Sequence, residues 1–151
     1  MSTTVDTSPA SPQIRAARPA DADRVFALLK QLEPAYSPDR PAFDANFPLL
    51  LGDDTTSVLL VAEDAAGALV GYALTTITPL LHANGSSAHL QELVVDDAHR
   101  GEGVGTAIVE EVERVCRDRG VKQITVASRR SADFYERIGY RSSSDFLKRT
   151  F

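Results

Sequence analysis

The residues best suited by type and spacing to do chemistry form one hexapeptide, Arg100-Gly101-Glu102-Gly103-Val104-Gly105. Glycine lets backbone N–H groups come close to a ligand, and N–H groups at the start of a helix attract anions, phosphate above all. A helix-like stretch, TAIVEEVERVCRDRG, follows the last glycine. A phosphate-bearing cofactor is therefore expected here. The segment is not a nucleotide P-loop, which needs Gly-Lys-Ser/Thr, nor a G-x-G-x-x-G fingerprint, because its glycines are spaced two apart. A merely tight strand-to-helix turn would need neither Arg100 nor three glycines. Each glycine lowers helix stability by roughly 1 kcal/mol in an interior, so their repetition points to close approach by a ligand.

This hexapeptide must be held by the elements around it. Residues 89–95, HLQELVV, read as a strand, broken by Asp96-Asp97. Ile108, Val109, Val112, Val115 and Cys116 make the apolar stripe of a helix over 106–119, with Gly120 as its C-cap. Upstream, residues 13–17 form a short strand. Pro19 to Asp23 start a helix whose face carries Val25, Leu28, Leu29 and Leu32, ending near Pro34. Asp39 caps a second helix bearing Phe43, Phe47 and Leu50, shortened or kinked by Pro48. Strands follow at 57–63 and 68–78, joined by a hairpin at 65–67. Residues 79–87 read as a flexible link with Asn84-Gly85 at its tip. A strand at 122–127, a short helix at 131–138 and a final strand at 145–151 complete a β-α-α-β-β-β-α-β-α-β plan, a mixed sheet with helices on its faces. Residues 1–12, rich in Ser, Thr, Pro and Ala, read as a disordered tail; residues 13–151 read as one domain.

Composition bounds the partners. The chain has 151 residues and a formal charge of -5, which argues against nucleic acid and against an anionic membrane surface. One cysteine excludes an intrachain disulfide and a cysteine-based zinc site. His82, His89 and His99 have no metal-site spacing, so no metal is expected. No transmembrane run and no secretory signal are visible, and a cytoplasmic location is the default expectation.

The hexapeptide also resembles the acyl-CoA-binding motif Q/R-x-x-G-x-G/A of the GCN5-related N-acetyltransferases (GNAT). Arg100, Gly103 and Gly105 fall on its fixed positions. LVVDDAH resembles the family's fourth strand, and FYERIGY resembles its FYEKLGF segment. The resemblance covers residue 13 to the C-terminus. It implies an α/β fold: a central, splayed, mostly antiparallel sheet of about six or seven strands flanked by about four helices. It implies acetyl-CoA in the gap between the fourth and fifth strands, coenzyme A as product, and acyl transfer to an amine. It places the diphosphate on the amides after Arg100, from Gly101 through Glu102, Gly103, Val104 and Gly105 to Thr106. Leu93, Val94 and Val95 would give strand-like backbone contacts to the pantetheine arm, with Ser128 and Ser131 nearby. Ser128 stands where members of the family commonly have Asn.

Transfer from a thioester to an amine needs a neutral amine, a donor for the developing oxyanion and a proton for the leaving thiolate. The resemblance gives the third role to Tyr135; the competing reading is a core tyrosine with a satisfied hydroxyl. Glu92 is the candidate base. Strand alternation sets it opposite Leu93 and puts Gln91 on the side of Leu93, unless the strand bulges. A solvent-facing carboxylate, with deprotonation left to water, is the alternative. The oxyanion donor would be a backbone N–H near Leu93 or Val94. Arg129-Arg130 could meet a 3′-phosphate or a substrate carboxylate, or simply be solvated. The acceptor pocket implied by the family draws on Glu33, Tyr36, Phe43, Phe47, Tyr72 and His82, each of which also reads as core or surface.

The expectation is an acetyl-CoA-dependent N-acetyltransferase acting on a small-molecule or peptide amine by a ternary complex. The rivals are a non-catalytic acyl-CoA-binding module and an enzyme using another acyl-CoA. A homodimer through the C-terminal strands is compatible with the family.

Overall fold

A computed structural model describes residues 11–52, 55–128 and 131–151. Among them, five strands make one sheet in the order β1-β2-β3-β4-β5: β1 Gln13–Ala16, β2 Ser57–Glu63, β3 Leu69–Leu80, β4 Gly85–Val95 and β5 Gln123–Val126. The four helices are α1 Ala22–Leu29, α2 Arg40–Asn46, α3 Val104–Asp118 and α4 Ala132–Arg137. All neighbouring strands are antiparallel except β4 and β5, which run parallel. This is the mixed, mostly antiparallel architecture expected from the sequence.

Period-two alternation in the strands builds two cores, one on each face of the sheet. Val58, Leu60, Ala73 and Leu90 pack against Ile108 and Val112 of α3. Leu59, Val61, Tyr72 and Val94 pack against Leu28 of α1 and Phe47, which follows α2. Asp39 caps α2 by accepting from the Ala42 N–H at 2.9 Å, and Pro48 turns the chain into a 3-10 segment at Phe47–Leu50. A Cβ on Gly71 would lie 2.8 Å from the Val94 carbonyl oxygen and 3.0 Å from Ile108 Cδ1. Glycine in mid-strand therefore lets α3 lie directly against β3.

Two expectations need correction. The link at 79–87 is a hairpin, not a flexible connection: β3 runs to Leu80 and β4 starts at Gly85, with Asn84 at φ 55 in the turn. The small polar residues Ser86 and Ser87 hide this stretch from an apolar-pattern reading, but pairing with both β3 and β5 makes it a strand. The final strand at 145–151 does not form, and among the described residues five strands stand in place of six or seven. Residues 141–151 have no regular structure and are exposed, with Leu147 at 93%. Phe146 and Leu147 are adjacent, so a strand would send them to opposite faces, and no sheet edge takes them up. Residues 1–10 of the expected tail and the Arg129-Arg130 pair lie outside the described residues.

Candidate active site

The glycine turn is built from backbone. Gly101 and Gly103 have φ of 79° and 84°, left-handed values that glycine adopts without a Cβ clash. Gly103 is the N-cap of α3 and offers no side chain to its amides; the first helical turn carries no acid. The first bond back into the helix runs from the Ala107 N–H to the Gly103 carbonyl. The N–H groups of Val104, Gly105 and Thr106 thus have no acceptor within the helix, and a Cβ built on Gly103 meets nothing within 4 Å. Unpaired amides, an open approach and the positive end of a 15-residue helix fit a diphosphate. A groove of about 790 Å³ opens beside them. Asp64, Glu102 and Glu110 also line it, so the groups there that favour an anion are the amides. A Cβ on Gly105 would lie in ordinary contact with Phe134 of α4 at 3.4 Å and Val95 at 3.6 Å. Arg100 points to an exposed ion pair with Asp97 at 2.8 Å, and Glu102 sits 3.1 Å from His99 Nδ1.

The sheet opens next to this turn. β4 pairs with β5 only from Ser87 to Leu90, and β5 ends at Val126. From Gln91 to Val95 the β5 side of β4 has no strand partner among the described residues. The Asp96 N–H bonds the Val70 carbonyl on β3 at 2.8 Å. By alternation, Glu92 and Val94 direct their backbone groups to β3, while Leu93 and Val95 direct theirs into the gap. Of the two oxyanion donors expected, Leu93 therefore has the free N–H.

The other face of β4 is built from side chains. The register shifts between Leu74 and Thr75, so Gln91 is an extra residue on β4. Leu90 and Leu93 then share the α3 face, and Glu92 lies on the α1 face. Gln91 joins it there rather than lying beside Leu93, and its amide donates to Thr76 Oγ1 at 2.9 Å. The Tyr72 hydroxyl donates to Glu92 Oε1 at 2.7 Å. Tyr72 is only 2% exposed, and burial together with the Glu92 charge raises its pKa above the usual phenol value. Further along, His89 Nδ1 meets Thr125 Oγ1 at 2.7 Å, while that hydroxyl donates to the Ala88 carbonyl at 3.3 Å. Burial lowers the His89 pKa, and Phe146 stacks on the ring at 5.3 Å.

Tyr135 sits on α4 with its ring 7% exposed and packed edge-on to Phe134 and Tyr140. Among the described residues its hydroxyl makes no hydrogen bond, and burial pushes its pKa up to about 12. Ser131 precedes α4 and donates its N–H to Ser128 Oγ at 3.2 Å. Of the expected acceptor residues, Phe43 stacks on Phe47 at 5.1 Å and meets Phe26 edge-on at 5.2 Å, and Phe47 is in the core. Tyr36 is exposed with Lys148 Nζ 5.8 Å from its ring, and Glu33 is half-buried and engaged. His82 lies in the β3–β4 turn, exposed, beyond Leu80; Glu92 pairs with Leu74. Six strand residues separate those β3 positions, about 20 Å at the usual rise, so His82 and Glu92 are not brought together.

Two residues escaped the sequence reading. Arg24 and Gln31 of the first helical segment reach the turn after β4: Arg24 Nη2 lies 3.1 Å from Asp96 Oδ2, Gln31 Nε2 lies 3.2 Å from Asp96 Oδ1, and Gln31 Oε1 accepts from the Asp97 N–H at 2.9 Å. These donors hold the Asp96 carboxyl below its usual pKa, Gln31 foremost. Their spacing of seven, two helical turns on one face, was the available signal. Among the described residues no three His, Cys, Asp or Glu side chains gather as a metal site, and no helix is long and apolar enough to cross a membrane.

Comparison with known proteins agrees with this geometry. The model of the acetyltransferase (GNAT) family matches residues 22–140. Glucosamine 6-phosphate N-acetyltransferase 1 of Oryza sativa subsp. japonica is 31% identical over 132 residues, 85% of this chain and 80% of that protein. The crystal structure of a transcriptional regulator from Bacillus halodurans C-125 superposes with a TM-score of 0.83 at 24% identity, over 93% of this chain and 99% of that one. Glucosamine-6-phosphate N-acetyltransferase from Arabidopsis thaliana gives a TM-score of 0.81 at 25% identity, again over 93% and 99%. The matched region holds the glycine turn, the opened sheet and the FYERIGY helix together, and the chain belongs to the GNAT acetyltransferase family.

Proposed function

We propose that the protein moves an acetyl group from acetyl-CoA directly to the primary amine of a small molecule or peptide, with both substrates bound at once. The observation that carries this reading is the uncapped N-terminus of α3 lying directly after the unpaired end of β4. The bound thioester supplies the acetyl group and the sulfur leaving group. The amides of residues 103–106 hold the diphosphate, and the Leu93 N–H takes the negative charge that develops on the carbonyl oxygen. Glu92 removes a proton from the ammonium and frees the nitrogen lone pair. Tyr135 gives its proton to the departing sulfur and recovers one from the nitrogen. The C–N bond forms as the C–S bond breaks. Of the ammonium's protons one stays on the amide, one reaches the thiol by way of Tyr135, and one leaves through Glu92 to solvent. Bringing both substrates together does much of the work, so no acyl-enzyme is needed.

On the acceptor side Glu92, Gln91 and Tyr36 are the groups within this reading. Phosphorylated amino sugars are the first acceptors to try, since relatives are named for glucosamine 6-phosphate. A panel of amines assayed by thiol release tests the proposal, with turnover on at least one expected. Donor binding without turnover on any amine would favour the acyl-CoA-binding module, and faster turnover with succinyl-CoA would reassign the donor. Glu92→Gln should lower activity chiefly at low pH, where an unassisted amine is mostly protonated. The exposed Phe146, Leu147 and Phe151 support a homodimer through the C-terminal segment. Sedimentation should show fewer dimers when Phe146 and Leu147 are replaced by Ser.

A further inference from the structure

Tyr72 was expected in the acceptor wall, yet its ring is enclosed in the α1-side core with Leu28, Phe47 and Val94. Among the described residues its hydroxyl has one partner, Glu92 Oε1, at 2.7 Å. We infer that Tyr72 is a positioning residue: its fixed hydroxyl holds Glu92 by Oε1 and leaves Oε2 as the oxygen that meets the acceptor amine. This rests on the reading of Glu92 as the group that takes the amine proton.

Three features converge on it. First, Glu92 alternates with Leu93 and so shares a face with Val94 and the facing Tyr72, and the bulge at Gln91 lets it do so while Leu90 stays in the α3 core. Second, a glutamate side chain has several rotamers, and ordering them at the moment of reaction is unfavourable. A donor anchored by a buried ring removes that freedom beforehand. Third, Oε2 takes no hydrogen bond among the described residues, so the carboxylate is held at one oxygen and open at the other. Tyr72 transfers no proton. Buried beside a carboxylate, its phenol stays protonated, and it acts only as a donor; the amine proton passes to Oε2 and then to solvent.

The test is a double-mutant cycle on the full-length protein with any acceptor that the amine panel identifies. Tyr72→Phe keeps the ring and removes only the oxygen. It should lower kcat about tenfold, the worth of one hydrogen bond to a charged group. Acceptor KM and coenzyme A affinity should change less than about twofold. In a Glu92→Gln background the same change should have no further effect. Infrared difference spectra of the ligand-free protein should show the carboxylate stretch moving between wild type and Tyr72→Phe, and no such change when Glu92 is already Gln. If Tyr72→Phe does not fold, Glu92→Asp, which draws the carboxylate away from the hydroxyl, should reproduce the fall in kcat. Losses that multiply in the double variant would mean that Tyr72 acts only through packing, which overturns the proposal. Full activity of Tyr72→Phe beside an impaired Glu92→Gln would overturn it while sparing Glu92. An unchanged pH–rate profile in Glu92→Gln would instead remove Glu92 itself, and the inference with it.

Discussion

The two sides of β4 are made of different materials. Toward the gap and the glycine turn, the usable groups are backbone N–H donors: Leu93 and Val95 on the strand, and Val104 to Thr106 at the α3 N-terminus. Toward α1, the usable groups are side chains joined in pairs, Tyr72 with Glu92, Gln91 with Thr76, and His89 with Thr125. A backbone site is fixed by chain conformation and tolerates many side chains. A side-chain site is fixed by residue identity and by partners from other strands. Under the proposed function the gap side is the donor half and should respond to substitutions that alter backbone freedom, and the α1 side is the acceptor half and should respond to substitutions that remove single atoms. Two tyrosines differ in the same molecule: the Tyr72 hydroxyl donates to Glu92, whereas that of Tyr135 makes no hydrogen bond among the described residues.

The largest effect is expected at Tyr135. Tyr135→Phe should lower kcat by about a hundredfold or more, the usual range for a lost general acid, while calorimetry shows coenzyme A affinity unchanged. Because burial holds the Tyr135 pKa near 12, the wild type should show no alkaline loss of activity from this group across the neutral range. Next comes Gly103→Val, which forces a β-branched residue to φ 84 and should weaken coenzyme A binding at least about tenfold, a difference of about 1.4 kcal/mol, with kcat at saturating donor much less changed. Equal losses of affinity in both variants would erase the distinction between the two sides of the strand.

The donor half was legible because its signal is local. Three glycines at alternate positions, an arginine before them and a helical stripe after them all lie within one short stretch. The acceptor half was only partly legible. Glu92 could be found by alternation, but its partner Tyr72 is twenty residues away, and the bulge that sets Gln91 and Glu92 on one face follows from pairing with β3. The stretch 79–87 reads as a link because Ser86 and Ser87 break the apolar pattern of its strand, and 145–151 reads as a strand although only Phe146, Leu147 and Phe151 are apolar. In both places pairing, not composition, decides. Gly71 carries a signal of its own: a mid-strand glycine often marks close backbone approach.

Smaller effects refine the comparison. Gly71→Ala should destabilise the fold by about 1–3 kcal/mol through overpacking against the Val94 carbonyl and Ile108, read as a lower midpoint of thermal unfolding. Gln31→Ala removes the two Gln31 contacts to the turn after β4 and leaves the Arg24–Asp96 pair. It should weaken coenzyme A binding by only a few fold, because the amides themselves remain. His89 gives the smallest effect. Burial makes the folded imidazole harder to protonate than the unfolded one, whose ordinary value is 6.5. Stability from this group is complete above that pH and declines as pH falls below it, since the unfolded chain then takes the proton first. His89→Gln should flatten the melting temperature between pH 7 and pH 5, measured by calorimetry.

The most direct measurement is amide NMR of the protein titrated with acetyl-CoA. The N–H resonances of Gly103, Val104, Gly105 and Thr106 should shift together and saturate with the binding isotherm, with 3′-dephospho-coenzyme A giving the same pattern and the pantetheine arm alone leaving them in place. Saturable binding that leaves those four amides unmoved, or no binding at all, would contradict the account.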